Sequence, residues 1–393
     1  MKPAARLQSA IEILDTVIAA ARDNGPPADR ILSDWFKAHR FAGSKDKRAI
    51  RELVYDAIRA CGPVPSSGRA AMLALAEEQE ALLPLFDGTP YGPAAIGEGE
   101  PVADNGIAPE WLEDLLIASE IGEADAEGLL TRAPLDVRLN RLRPADAVPP
   151  LPEEGELLAL PDARRFPAGT QVMQWEAWKA GALEVQDLGS QIACHAVGAQ
   201  PGEGVIDLCA GAGGKTLALA AAMHGEGTLL AADTDRRRLS QLGPRAERAG
   251  VKAIEDVLLD PGRELDALAD WRGRADRVLV DAPCSGTGTW RRNPESRWRI
   301  SQALLARYAE TQAHVLDVAA HLLRPGGSLT YVTCSVLDAE GAGQIDRFLA
   351  ANPGWEPDLP DLPLGTGRGA GIRLLPSKDG TDGFFIARLT KPC

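Results

Sequence analysis

The sequence predicts an α/β fold with a mostly parallel sheet, preceded by an all-helical segment. Three observations carry this. From Gly189 onward, short apolar runs alternate with helical stretches, the pattern of a parallel sheet covered by helices on both faces. A glycine-rich turn, Cys209-Ala210-Gly211-Ala212-Gly213-Gly214, joins the first of those runs to a helix. Two further runs close on cysteine motifs fifty residues apart, Asp281-Ala282-Pro283-Cys284 and Thr333-Cys334-Ser335.

Residues 1–130 read as helices. Leu7, Ile11, Leu14 and Ile18 recur at helical spacing, as do Ile50, Leu53, Val54, Ala57 and Ile58. Gly25-Pro26-Pro27 breaks the first helix, and Cys61-Gly62-Pro63 ends the later one. Further helices are predicted over 70–85 and, as one or two pieces, over 111–130, with a Gly- and Pro-rich loop over 91–106. Asp136 to Asn140 alternates like a strand. Short strands and turns continue to Gln174, so residues 131–188 are expected to form a small α+β subdomain. Residues 189–393 hold the main sheet, with strands predicted at 205–209, 228–232, 277–280, 329–332 and 384–389. Helices are predicted over 215–223, 235–249, 302–323 and 338–350, the second interrupted or kinked by Pro244. Asp382-Gly383 favours a tight turn before the last strand.

Length and composition bound the class. The chain has 393 residues, enough for two or three domains, and its 45% apolar content suits ordinary globular cores. The first 24 residues lack a signal-peptide pattern, because Glu12 and Asp15 interrupt the apolar positions. No stretch approaches the roughly eighteen unbroken apolar residues of a membrane helix. A cytoplasmic monomer with no membrane partner is expected. The six cysteines form no C-x-x-C pair, so no metal site is expected, nor disulfides in a cytosolic chain. A net charge of −14 argues against a nucleic-acid partner, yet local charge matters more than the sum. Within 286–300, Arg291, Arg292, Arg297 and Arg299 stand against Glu295 alone, and residues 29–59 carry eight basic side chains against five acidic. Either cluster reads as a solvated face or as a nucleic-acid contact.

The glycine turn fails two familiar tests. A phosphate-binding G-x-x-x-x-G-K-[ST] loop ending at Gly214-Lys215-Thr216 would need glycine at Cys209, and a G-x-G-x-x-G fingerprint from Gly211 would need glycine at Thr216. What remains is a strand-to-helix turn that lets backbone approach a ligand, with Asp233 ending the next strand. An acid there suits a ribose hydroxyl pair. S-adenosylmethionine matches both features through its carboxylate and its ribose; a tight turn without ligand is the plain structural alternative.

The cysteines add reactivity. Buried packing is the ordinary role of a strand cysteine, and Cys61, Cys194 and Cys209 fit it, while Cys393 is a tail residue. Cys284 and Cys334 differ, since both close strands whose carboxyl ends should share one crevice, with Asp281 beside them. Cytosine carbon 5 is a poor nucleophile, and a thiolate added to carbon 6 makes it enolate-like. Methylation there needs a nucleophilic cysteine, an acid near ring nitrogen 3 and a base to remove the carbon-5 proton. Amino methyltransferases on this kind of fold carry an aromatic residue after the proline, and Cys284 fills that position here.

These residues resemble a known family, the S-adenosylmethionine-dependent RNA cytosine-5 methyltransferases of the Sun/Nop group, which methylate ribosomal RNA. The likeness rests on Val185-Gln186-Asp187 with Ser190-Gln191, Asp207 to Ala210, Gly213 to Thr216, Asp281 to Gly286, Arg291-Arg292 with Pro294, Thr333 to Val336, and Asp382 to Phe385. It covers about 135–391. More weakly, Arg51-Glu52-Leu53-Val54-Tyr55 and its helix resemble the NusB-like RNA-binding domain of bacterial 16S rRNA members. The family loop usually reads Ala-Pro-Gly-Gly-Lys, and Ala212 replaces its proline here.

The resemblance implies a Rossmann-like class I methyltransferase domain with a mostly parallel seven-stranded sheet over 189–393. It implies S-adenosylmethionine as cofactor and single-stranded or looped RNA, 16S rRNA first, as partner. Cys334 would be the nucleophile, Cys284 would assist product release as or through the base, and Asp281 would contact the cytosine. Cys209, Ala210, Gly211, Ala212, Gly213, Gly214, Lys215, Asp233, Asp260 and Asp281 would border or hold the cofactor, with Asp256 as the alternative to Asp260. Trp290, Arg291 and Arg292 are expected at the RNA, Trp290 being equally suited to the core, and Arg138 and Asn140 are weaker candidates. A tRNA or DNA cytosine-5 methyltransferase and a ribosome-assembly factor without chemistry are the alternatives.

Overall fold

Proline at the first helical position fixes φ where no N–H is needed, and the first helix, Pro3–Arg22, starts that way. A computed structural model of the chain describes residues 1–144 and 148–393. Leu7, Ile11, Leu14 and Ile18 are all buried, together with Ala10, Ile13 and Val17, so the apolar stripe is wide enough to face several neighbours. Those neighbours are helices Ala28–Ala38, Ser44–Ala60 and Gly68–Glu78. The last begins on Ser67, whose hydroxyl accepts from the Ala70 N–H at 3.1 Å. It ends at Glu78 rather than 85, and a 3₁₀ turn, Glu80–Leu85, contains Pro84. The predicted 111–130 helix is two pieces, Glu110–Ala118 and Glu123–Gly128, separated where Glu120 turns to φ 59°.

The chain forms two compact units, 1–131 with 289–301, and 132–288 with 302–393. The short segment 289–301, read from the sequence with the sheet, therefore groups with the helices. Trp298 is part of their apolar core. The buried Arg297 guanidinium donates through Nη1 to the Pro294 carbonyl and through Nη2 to the carbonyls of Ile58 and Cys61, each at 2.6 Å.

The second unit carries two sheets. The small one is antiparallel, in the order β2-β3-β1-β4, from β1 Leu135–Leu139, β2 Glu156–Leu157, β3 Ala163–Phe166 and β4 Leu183–Val185. It has its own apolar cluster around Val137, Phe166 and Leu183.

The large sheet has nine strands among the described residues. They are β5 Gly204–Asp207, β6 Thr228–Asp233, β7 Glu255–Leu258, β8 Ala275–Asp281, β9 Leu323–Thr333, β10 Glu356–Pro357, β11 Thr366–Arg368, β12 Gly371–Leu374 and β13 Phe384–Thr390. Their order is β11-β12-β13-β9-β8-β5-β6-β7, with β10 on β13. Strands β7, β6, β5, β8 and β9 are parallel, and β13 runs antiparallel to β9. The sheet has nine strands where the resemblance implies seven; β10 and β11 are short and largely exposed.

Alternation along β8 shows how the sheet is covered. Val278 and Val280 face a core with Leu316, Ala319 and Ile345 from helices Gln302–Leu322 and Ala342–Ala351. Leu279 faces the opposite core with Ile192, Val197 and Leu219 from helices Leu188–Val197 and Gly214–Ala222. The predicted 235–249 helix is interrupted at residues 240–241, giving Arg236–Leu239 and Leu242–Ala249. Pro244 falls in the first turn of the second piece, where a missing N–H breaks no helical bond. Among the described residues no helix is long and apolar enough to cross a membrane.

Candidate active site

Strand order places the site. From β5 the chain steps outward to β6 and β7 on one side, and later to β8 and β9 on the other. The carboxyl end between β5 and β8 is therefore a switch point, where helices leave the sheet in opposite senses and open a crevice. A cavity of about 760 Å³ lies there, bordered by Cys209, Asp233, Asp281, Cys284 and Cys334, with Tyr308 and His314 from helix Gln302–Leu322.

The two thiols meet in it. Asp281 ends β8 and pairs with Val332 of β9, which brings the following turns side by side. Cys284 Sγ lies 3.3 Å from Cys334 Sγ. The hydrogen bond to Cys334, burial, the charge of Cys334 and that of Glu340 push the Cys284 pKa well above that of an ordinary thiol. Cys284 is thus held in its protonated form at neutral pH.

The turns are held by a polar frame. Glu340, almost wholly buried, accepts from the Ser285 N–H at 2.9 Å, from the Ser285 hydroxyl, and from Gln312 Nε2 at 3.2 Å. Gln312 also donates to the Pro283 carbonyl at 2.9 Å. The Thr287 hydroxyl meets that of Ser335 at 2.9 Å, and the Gly288 N–H donates to the Cys334 carbonyl at 3.0 Å. Gly383 donates to the Gly288 carbonyl at 2.8 Å, and a Cβ on either glycine would overlap the other residue. The predicted turn before β13 thus locks the tail against the Cys284 loop. Glu340 and Gln312 went unnoticed in the sequence; the signal available was an acid six residues beyond Cys334, in the turn after a strand.

Lys215 Nζ donates to Asp281 Oδ2 at 2.6 Å and lies 5.8 Å from the centre of the Phe384 ring. Burial alone would lower the Lys215 pKa, but Asp281 and the nearby thiols of Cys194 and Cys334 outweigh it and raise it. Asp207, fully buried at the end of β5, accepts from the Thr216 hydroxyl at 2.7 Å. Burial, with the charges of Asp281 and Asp233, lifts its pKa to about 7. Burial pushes the Cys194 thiol up to about 11 and that of Cys209 well above the ordinary range, which suits packing rather than nucleophilic use.

The glycine turn stands behind the cavity wall. Gly211 and Gly213 have φ of 56° and 84°, which only glycine adopts easily. The Arg238 guanidinium lies against Gly211 and itself borders the cavity. Ala210 to Lys215 do not line the cavity, and neither does Asp260, which is exposed although Leu259 and Pro261 beside it do. Asp256 sits in β7 opposite Ala231. Asp233 lines the cavity and accepts from the N–H groups of Gly211 and Asp235, both at 2.7 Å. The volume falls in the range of cofactor pockets, and the acids Asp233, Asp235, Glu264 and Asp281 complement a ligand that carries a sulfonium and a diol.

The expected RNA patch is mostly internal. Trp290 is wholly buried and Arg291 is 7% exposed, so the Trp290 ring is packed as core and presents no face for a base. Arg292 keeps partial exposure. Arg138 and Asn140 are buried too, Asn140 donating to the carbonyls of Gly181 and Ala249 at 2.8 Å.

The chain is similar to known proteins. The family profile described as 16S rRNA methyltransferase RsmB/F matches residues 195–390. The ribosomal RNA small subunit methyltransferase B of Sodalis glossinidius (strain morsitans) is 33% identical over 316 residues, covering 76% of this chain and 69% of that protein. The crystal structure of PH0851 matches with a TM-score of 0.75 at 24% identity, covering 100% of this chain and 99% of that one. The structure of NSun6 from Pyrococcus horikoshii with SFG matches with a TM-score of 0.50 at 27% identity, covering 59% of this chain and 58% of that one.

Proposed function

The chain belongs to the RsmB/F family of S-adenosylmethionine-dependent rRNA methyltransferases, and from that footing we propose that it methylates carbon 5 of a cytosine in 16S rRNA through a covalent cysteine–cytosine intermediate. The observation that carries this reading is the pair of thiols at adjacent strand ends, 3.3 Å apart and beside Asp281. A cofactor-dependent transfer to nitrogen or oxygen has no use for two such thiols.

The Cys334 thiolate adds to carbon 6, and the electron pair of the 5,6 double bond moves toward carbon 5. Asp281, oriented by Lys215, faces ring nitrogen 3 and relays a proton from the Lys215 ammonium to that nitrogen as negative charge develops in the ring, taking it back on release. S-adenosylmethionine, held by Asp233, Cys209 and the backbone behind them, supplies the methyl group. Release requires loss of the carbon-5 proton and cleavage of the sulfur–carbon 6 bond, which returns the thiolate to Cys334 and the double bond to the ring.

The pKa of Cys284 fits the timing. Its largest upward influence is the hydrogen bond with Cys334, reinforced by that sulfur's charge. Both disappear once Cys334 is bonded to carbon 6. With both gone, Cys284 gives up its own proton to water and, as the thiolate, accepts the carbon-5 proton.

Bisulfite sequencing of total RNA from a strain lacking the gene tests the substrate. The expected result is one 16S cytosine that converts in the deletion strain and resists conversion in the parent. Identical maps in the two strains would exclude RNA carbon 5 as the target.

A further inference from the structure

Arg138 is the odd charge in the second unit. It lies in β1, is 8% exposed, and among the described residues makes one hydrogen bond, from Nε to Gln186 Oε1 at 2.8 Å. No carboxylate among the described residues pairs with it, and its Nη2 is buried without a partner. Taking a guanidinium out of water without a direct anionic partner is unfavourable. Arg138 borders a separate pocket of about 320 Å³, which shares no residue with the thiol cavity. His195, His224 and Arg141 stand around it, and Asp162, the one acid there, is paired with Arg141. Ala221 and Ala222 leave room at its wall.

We propose that this pocket binds a phosphate of the RNA chain, with Arg138 as the buried anchor and the two imidazoles as further donors. The guanidinium fork suits phosphate oxygens; Glu184 across the strand and Asp162 act on Arg138 only at a distance, so a phosphate would give it the direct anionic partner it lacks. A chain of net charge −14 needs local cationic sites to hold RNA, and the Trp290-Arg291 patch is buried. The assignment rests on the RNA reading above, and a free nucleotide is the other source of the same chemistry.

Two variants test it on the full chain. Arg138→Met removes the anchor, and Ala222→Glu adds a carboxylate at an exposed wall position with no core to disturb. Probes are inorganic phosphate, cytidine monophosphate and a labelled single-stranded RNA decamer, measured over a range of KCl. The expected result is decamer binding weakened about tenfold in both variants, with the log–log salt slope shallower by about 0.7, the contribution of one single-strand phosphate. Phosphate competition should disappear in both variants, and S-adenosylmethionine binding should stay unchanged. Wild-type affinity and slope in both variants overturn the site and leave the methyltransferase reading intact. Cytidine monophosphate binding as tightly as the decamer reassigns the pocket to free nucleotides. Phosphate binding at the pocket without any RNA binding by wild type overturns the RNA reading itself.

Discussion

The two units each bury an arginine without a carboxylate, and they use it in opposite ways. In the helical unit, Arg297 leaves its Nε unmatched but spends its terminal nitrogens on four backbone carbonyls, and so fastens residues 294–297 to the end of helix Ser44–Ala60. In the α/β unit, Arg138 makes one bond, and its Nη2 stays unmatched beside a pocket. A buried charge met by carbonyls stabilises the fold, whereas one left half-met is held ready for a ligand. Asp207 repeats the second pattern, with one oxygen bonded to Thr216 and the other buried without a partner.

Removing each charge separates the two uses. Arg297→Met strands four backbone carbonyls and is expected to lower unfolding stability by about 3–5 kcal/mol in urea titration. A loss no larger than that of a surface substitution would break the comparison. Asp207 gives the next effect. Its folded pKa of about 7 stands above the ordinary 3.8, so its contribution is fully present below about pH 4 and is lost as pH rises through 7. Asp207→Asn keeps the acceptor for Thr216 and removes that loss. Its stability relative to wild type should improve by about 2–4 kcal/mol between pH 4 and pH 8, measured as the difference in urea unfolding. Parallel pH profiles would show that Asp207 does not titrate in this range. Arg138→Met gives the smallest effect, below about 1 kcal/mol in the free protein, because little native bonding is lost. A loss equal to that of Arg297→Met would make Arg138 a staple as well.

Much of this was legible in the sequence where a local rule sufficed. The runs before Asp281 and Thr333 are mostly apolar because their strands are covered on both faces, so strands and strand ends could be read directly despite Arg277 and Thr330. The glycine turn and Asp233 announced a ligand crevice through backbone freedom and an acid at a strand end. What escaped depends on distant partners. Whether Trp290 and Arg291 face solvent is decided by their place in the helical unit, more than 200 residues earlier in sequence. The acid that frames the Cys284 loop, Glu340, lies in a turn after another strand, and its role exists only once β8 and β9 pair. Pro244 predicted an interruption, but its position inside the first turn of a new helix could not be told from the residue alone.

The central claim is the division of labour between two thiols that touch. Cys334 and Cys284 should be replaced singly by alanine, incubated with 16S rRNA and S-adenosylmethionine, and run on a denaturing gel. Cys334→Ala is expected to be inactive and to trap no RNA, and Cys284→Ala to accumulate a shifted protein–RNA band. The reverse pattern, with the trapped band in Cys334→Ala, would make Cys284 the nucleophile and contradict the account.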